Sequence, residues 1–398
     1  MNGRILAISC IVGTFLSFGK DNHIASIGTD KSKTNIHQNG EQQEPKNTVP
    51  QTTELSTNGI KDGNKSQEHS KLECRLYENP SREELNKISE EVFNILEKED
   101  KRAQSHGKKD AAFVKVKNDK KVMIIGDMHG NLEALLCIPV AEKILQEGGL
   151  VVTLGDMIDQ HISFGPELAL RCLYEVLNLK KKYPDNVVVL RGNHESYFNH
   201  SRMGYSIDKE HCDEIVRKCV KCLPLACMVE NNGKKFFCVH GGICEDMYKN
   251  HSEEDNLGLE KFEDLTHSNT INFQVLWNCF RDKGTSCRKK NVAPLVDDFL
   301  QKTGYQAIFR GHGTFQTKKN DEEYNVKDKV YTILSNSVVS NGVINKNDDR
   351  NARYAIIDRG HVKVEYFTNS FINGTCIGEK EFIKKCKNYL ADHYQNID

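Results

Sequence analysis

The chain has 398 residues, 28% of them charged, and its 55 Lys and Arg against 56 Asp and Glu give a formal net charge of −1. That balance argues against a bulk nucleic-acid binder, whose footprint is a basic patch. A hydrophobic fraction of 38% fits one folded domain with a polar extension better than two packed domains.

Met1 to Arg4 is a short, mildly basic start, and Ile5 to Phe18 is mostly apolar. Such a run suits the core of a secretory signal and is short for a bilayer span. Residues 1–19 are therefore expected to be a signal peptide and the protein to be secreted or in the secretory pathway. If the segment is not a signal, the expected compartment is the cytoplasm. No later stretch is long and apolar enough for a transmembrane span. Residues 20–75 are mostly Asn, Gln, Lys, Ser, Thr and Glu; they bury too little surface to offset chain entropy and are expected to be disordered. Residues 76–398 are left as the folded domain.

Ser81 to Lys101 reads as an amphipathic helix. Ser81 and Glu84 have capping-box spacing, and Ile88, Val92, Ile95 and Leu96 recur on one face. Val122–Ile125 is a short apolar run stopped by Gly126, which predicts a buried strand. A helix over Asn131–Glu147 follows, then a strand over Leu150–Leu154 stopped by Gly155. Pro166–Tyr183 reads as helix, and Val187–Leu190 as a strand ending before Gly192. Strand alternating with helix is an α/β signature. Further strands are predicted at Phe236–His240, Ala307–Arg310, Val330–Leu334, Tyr354–Asp358 and Val362–Tyr366.

Of 14 cysteines, Cys137, Cys172, Cys227 and Cys238 lie in apolar runs and read as small core hydrophobes. Cys219 and Cys222 form a CxxC, but no second pair follows at zinc-module spacing.

The strands end in polar clusters of one kind. They are Gly126-Asp127-Met128-His129-Gly130-Asn131, then Gly155-Asp156-Met157-Ile158-Asp159, then Gly192-Asn193-His194-Glu195. Two later strands end in His240-Gly241-Gly242 and Arg310-Gly311-His312. In open α/β sheets ligands bind at strand carboxyl ends. Carboxylate, imidazole and amide oxygen are ligands of hard and borderline divalent metals. Two neighbouring metals need a shared ligand. Asp127, His129 and Asp156 can hold one ion, and Asn193, His240 and His312 the other, with Asp156 bridging. His194 follows a ligand and suits protonation of a leaving-group oxygen, with Asp159 to fix its tautomer.

These motifs resemble the calcineurin-like metallophosphoesterases, and more closely the phosphoprotein phosphatases that act on serine and threonine. The resemblance runs from about Lys121 to Phe367. It includes Tyr183 to Glu195, Cys222-Leu-Pro-Leu-Ala, Phe237-Cys-Val-His-Gly-Gly-Ile and Leu276-Trp277. It implies an α/β fold with a central β-sandwich of two mixed sheets flanked by helices, and 76–398 as the catalytic domain. It implies two metal ions (manganese, iron or zinc) on the same six ligands and direct attack by metal-bound hydroxide. It implies His194 and Asp159 as the acid pair, with a phosphoprotein as substrate.

This chain also departs from the family pattern. The family's Arg-Gly after Asp159 is replaced by Gln160 and His161, and Arg288, ahead of Arg281, is the candidate for the missing phosphate clamp. The family's Ser-Ala-Pro-Asn-Tyr-Cys loop is replaced by Ser335-Asn-Ser-Val-Val-Ser-Asn. A phosphotyrosine, nucleotide or other small-molecule phosphoesterase is one alternative, and a metal-binding pseudophosphatase adaptor is another. The third motif here, Leu-Arg-Gly-Asn-His-Glu-Ser, differs from the Leu-Gly-Asn-His-Asp type of diadenosine tetraphosphatases.

Overall fold

Helix α1 (Arg82–Ser105) starts where the sequence predicts and for the predicted reason. The Ser81 hydroxyl accepts a bond from the Glu84 N–H at 3.2 Å, and the Glu84 carboxylate accepts one from the Ser81 N–H at 2.9 Å. Two of the otherwise orphaned donors at the helix start are thereby satisfied. Leu85, Ile88, Val92 and Leu96 are buried on one face.

The structure is a computed structural model. It describes residues 80–158, 169–196, 213–261, 271–278, 292–312, 328–335, 343–344, 352–366 and 377–378, with Lys384 and Asn388. The expected signal and polar segment, and with them Asp159, Gln160, His161, Arg281 and Arg288, lie outside the described residues. All described residues fall in the unit Lys61–Asp398. No helix among them is long and apolar enough to cross a membrane.

Two five-stranded mixed sheets form the centre. The first has the order β1 (Phe113–Lys117), β5 (Ala226–Asn231), β6 (Lys234–Val239), β7 (Ala307–Arg310), β8 (Val330–Thr332). The second has the order β11 (His361–Tyr366), β10 (Arg353–Asp358), β2 (Val122–Ile125), β3 (Leu150–Thr153), β4 (Val187–Val189). A small antiparallel pair, β9 (Val343–Ile344) with β12 (Ile377–Gly378), forms a separate two-stranded sheet.

Strands β2, β3 and β4 are buried throughout, on both faces, which is why they read as short apolar runs. Val122 and Ile124 join Val152, Val188, Cys227, Phe236, Cys238 and Phe309 in a core between the sheets. Met123 and Ile125 point the other way, against α1, α2 (Cys137–Gln146), α3 (Ala169–Lys182) and α5 (Glu214–Lys221), the one-turn α4 (Asn193–Ser196) coming between the last two in the chain. The outer face of the first sheet is covered by α6 (Glu245–Lys249), α7 (Ile271–Trp277) and α8 (Val292–Thr303). A two-sheet α/β sandwich flanked by helices is the result, as the resemblance implies. Cys137, Cys172, Cys219, Cys227 and Cys238 are buried free thiols within these cores.

One predicted element is divided. The helix expected over Asn131–Glu147 is a 3-10 turn, Leu132–Leu136, followed by α2. Pro139 is the reason. It lacks an N–H, and its ring would clash with the Leu135 carbonyl in a continuous α-helix, so it is tolerated only in a first turn.

Candidate metal centre

Strands β2, β3 and β4 pair in parallel, and so do β6 and β7. Parallel pairing sends carboxyl ends the same way. Hydrogen bonds join the ends of the two sheets. The His312 N–H donates to Asp127 Oδ1 at 3.0 Å, and His240 Nδ1 lies 2.9 Å from the Leu154 carbonyl. Asp127, Asp156, Asn193, His240 and His312 thus meet from five strand ends, all buried or nearly so.

The backbone at this edge is unusual. His129, Asp156 and His312 hold left-handed φ values of 47°, 53° and 50°. Asp and His tolerate that region better than most side chains. The bonds around them hold the conformation: the Met128 and His129 N–H groups both donate to the Asp156 carbonyl at 2.9 Å. Strain held in place by its surroundings is a mark of functional sites.

Asp156 lies at the centre of the cluster. Its Oδ2 is 3.6 Å from His129 Nε2, 3.7 Å from His194 Nε2 and 3.3 Å from His240 Nε2. It belongs to two groups of ligand-type side chains, His129–Asp156–His194 and Asp156–His240–His312, with ligand atoms within 4.8 Å of one another in each. Neither group contains a cysteine. Asn193 Oδ1 sits 2.6 Å from His240 Nε2 and 2.8 Å from His312 Nδ1, so it adds an amide oxygen to the second group. Asp127 Oδ2 lies 3.8 Å from His129 Nε2. His194 is where the structure adds to the sequence reading. That reading leaves it without a metal, whereas its Nε2 faces the same carboxylate oxygen as His129, with the two rings edge to face at 4.7 Å. Asp159, its expected partner, and Arg288, the expected clamp, lie outside the described residues. Trp277 of the Leu-Trp pair packs edge-on against the His312 ring at 5.6 Å.

Electrostatics at the cluster are those of a cation site. Burial raises the Asp127 carboxyl to about 7, opposed by His240 and reinforced by Asp156. Burial also opposes the Asp156 charge, but the imidazoles of His194, His240 and His129 outweigh it and hold the group well below the usual carboxylate range. Two carboxylates buried together repel, and a divalent cation relieves that repulsion. His240 presents Nε2 inward because its Nδ1 is engaged by a backbone carbonyl, the arrangement that fixes a metal-binding tautomer. Two buried carboxylates, an amide oxygen and several imidazoles fit a pair of divalent ions.

Two glycines make the close packing possible. A Cβ on Gly192 would lie 2.1 Å from Asp156 Oδ1, and one on Gly311 would lie 2.1 Å from Asp127 Oδ1. Gly311→Ala is expected to push the Asp127 carboxylate aside and to cost about 1–3 kcal/mol, the usual range for overpacking. Thermal melts together with manganese titration would test this. A variant that melts and binds manganese like the parent would mean that the site is looser than the geometry indicates.

Two supporting residues carry no role in the sequence reading although both stand in its motifs. The buried Glu195 accepts hydrogen bonds from four backbone N–H groups, those of Asp156, Met157, Ile158 and Gly192. The buried Arg310 donates to the carbonyls of Gly241, Asn278 and His312 and to the Thr332 hydroxyl, joining the ends of β6, α7, β7 and β8. The available signal was a charged residue two positions from a predicted ligand at the end of an apolar strand, Glu195 after Asn193 and Arg310 before His312. Such a residue is buried with the strand end and has to find partners there.

Comparison with known proteins places these residues in a family context. Residues 120–313 match the family model "Calcineurin-like phosphoesterase". The chain is 29% identical over 216 residues to the serine/threonine-protein phosphatase 4 catalytic subunit of Kluyveromyces lactis, covering 49% of this chain and 63% of that one. The same figures hold for the protein of that name in Saccharomyces cerevisiae. The chain thus spans less than two thirds of the length of these relatives. Among solved structures, a protein serine/threonine phosphatase from Saccharomyces cerevisiae with similarity to human phosphatase PP5 superposes with a TM-score of 0.52 at 17% identity. That superposition covers 72% of this chain and 90% of the other and concerns the fold.

Proposed function

We propose that the chain, whose residues 120–313 match the calcineurin-like phosphoesterase model, is a divergent member of that family and a metal-dependent phosphatase acting on phosphoserine and phosphothreonine in proteins. The observation that carries the reading is the placement of Asp156. One buried carboxylate is common to two ligand groups drawn from the ends of strands in both sheets.

In this reading Asp127, His129 and Asp156 would hold one ion, and Asp156, Asn193, His240 and His312 the other. A pair of divalent ions bound there would supply charge neutralisation at the phosphate and activation of water. The protein's own contribution is to fix those ligands on rigid strand ends, so that little reorganisation accompanies the reaction. His194 donates a proton to the departing oxygen, with Asp159 orienting its ring. Preference for phosphoserine and phosphothreonine draws its support from the phosphatase relatives at 29% identity.

The test is phosphate release from phosphoserine, phosphothreonine and phosphotyrosine peptides, p-nitrophenyl phosphate and nucleotides, before and after chelation. Activity is expected to vanish in chelator, to return with manganese, and to be highest on phosphoserine or phosphothreonine. Undiminished turnover by metal-free protein would rule out the two-metal reading. A preference for phosphotyrosine or for nucleotides would move the substrate class. Manganese binding without any phosphate release would make the chain an adaptor.

A further inference from the structure

We propose that Glu195 is a positioning residue that sets the geometry of the metal site by tying the loop after β3 to the loop after β4; this rests on the phosphatase reading above. The first loop carries Asp156, and the second opens into the one-turn helix Asn193–Ser196 that carries Asn193 and His194. The Glu195 carboxylate lies between them. Its Oε2 accepts the N–H groups of Asp156 and Gly192, each at 2.8 Å. Its Oε1 accepts those of Met157 at 2.9 Å and Ile158 at 3.3 Å.

The left-handed φ of Asp156 explains how one side chain reaches three consecutive amides of the same loop. When a residue takes that conformation, successive N–H groups turn toward a common point and form a small anion-binding nest. Here the nest is filled by the chain's own carboxylate, which is 1% exposed. The nest is therefore not available to the substrate phosphate. Its occupant instead fixes the peptide on which the shared carboxylate is mounted. The His194 N–H donates to Asp156 Oδ1 at 3.0 Å and closes the tie from the other loop.

The geometry also says which replacement is informative. Each oxygen of Glu195 receives two N–H donors, so both ends of the group must be acceptors. A glutamine has nearly the same shape, but in either orientation it turns an NH2 against two N–H donors. If Glu195 only fills space, Glu195→Gln keeps the parent's function. If it positions the loops as an acceptor, Glu195→Gln does not. Glu195→Asp keeps both acceptors but draws them back by one methylene.

Full-length protein carrying Glu195→Gln or Glu195→Asp should be compared with the parent by circular dichroism, manganese equilibrium dialysis and manganese electron paramagnetic resonance, alongside kinetics. The expected result for Glu195→Gln is a folded protein whose second manganese binds about 10–100-fold more weakly, the usual effect of losing a residue that supports a ligand. At full loading its spectrum should lose the exchange-coupled signature of a close ion pair, and kcat should fall while KM stays within about threefold, the sign of a changed site rather than changed substrate binding. Glu195→Asp should fall between the two. A Glu195→Gln protein with the parent's affinity and spectrum would overturn the proposal. Should that variant fail to fold, amide hydrogen exchange on the parent still decides. The amides of residues 156–158 are expected to exchange as slowly as those of the central strands, and rapid exchange there would overturn the tie. Failure of the phosphatase reading looks different, because the parent itself would then bind no manganese pair or release no phosphate.

Discussion

Asp156→Asn is expected to lower phosphoester turnover by at least about a hundredfold, the scale on which removing one preorganised electrostatic group acts. The reason is positional. Asp156 Oδ2 faces the Nε2 atoms of His129, His194 and His240, and the same carboxylate serves both ligand groups. An amide keeps an oxygen there but removes the negative charge that two cations would share. The fold should survive. The Asp156 N–H still donates to Glu195, and an asparagine oxygen can still accept from the His194 N–H. The measurement is turnover of a phosphopeptide and of p-nitrophenyl phosphate at saturating manganese, with the metal content and melting temperature of the same sample. Near-parental turnover with two bound ions would refute the assignment of Asp156 as the shared ligand.

His194→Ala should divide substrates by their leaving groups. Alkyl phosphates such as phosphoserine leave as strongly basic oxygens and need a proton, so their turnover should fall by roughly 10²–10⁴, the usual contribution of a general acid. Activated aryl phosphates need no proton, and for them the loss should stay below about tenfold. Equal losses on both would assign His194 a different task. The structure makes that task concrete, since its Nε2 lies 3.7 Å from Asp156 Oδ2 and groups with His129 as a ligand-type side chain. Manganese stoichiometry of the variant then decides between proton donor and metal ligand. An acid leaves the ion count unchanged, whereas a ligand lowers it.

The strands and the polar clusters at their ends were legible in the sequence because both follow local rules. A strand buried on both faces must be apolar throughout, as in Val122–Ile125 and Val187–Val189, and the glycine that stops it must allow a sharp turn. The start of α1 is equally local, since Ser81 and Glu84 find each other across a single turn. The choice of Asp127, His129, Asp156, Asn193, His240 and His312 as ligand types rested on residue chemistry, and the structure brings all six to one edge of the sandwich.

Other features depended on neighbours far along the chain. Local helical periodicity over Asn131–Glu147 was overridden at Pro139, where the ring and the missing N–H set the break between the 3-10 turn and α2. The roles of Glu195 and Arg310 arise from groups that the sequence does not place beside them. Glu195 bonds backbone amides up to 39 residues away, and Arg310 bonds the Gly241 carbonyl 69 residues away. The grouping of His194 with His129 and Asp156 is of the same kind. Residue type and spacing determined which side chains could carry the chemistry of this protein. Only strand pairing within and between the two sheets decided which of them face the same oxygen, because hydrogen-bond and ligand distances are set by how strand ends converge in space and not by their order along the chain.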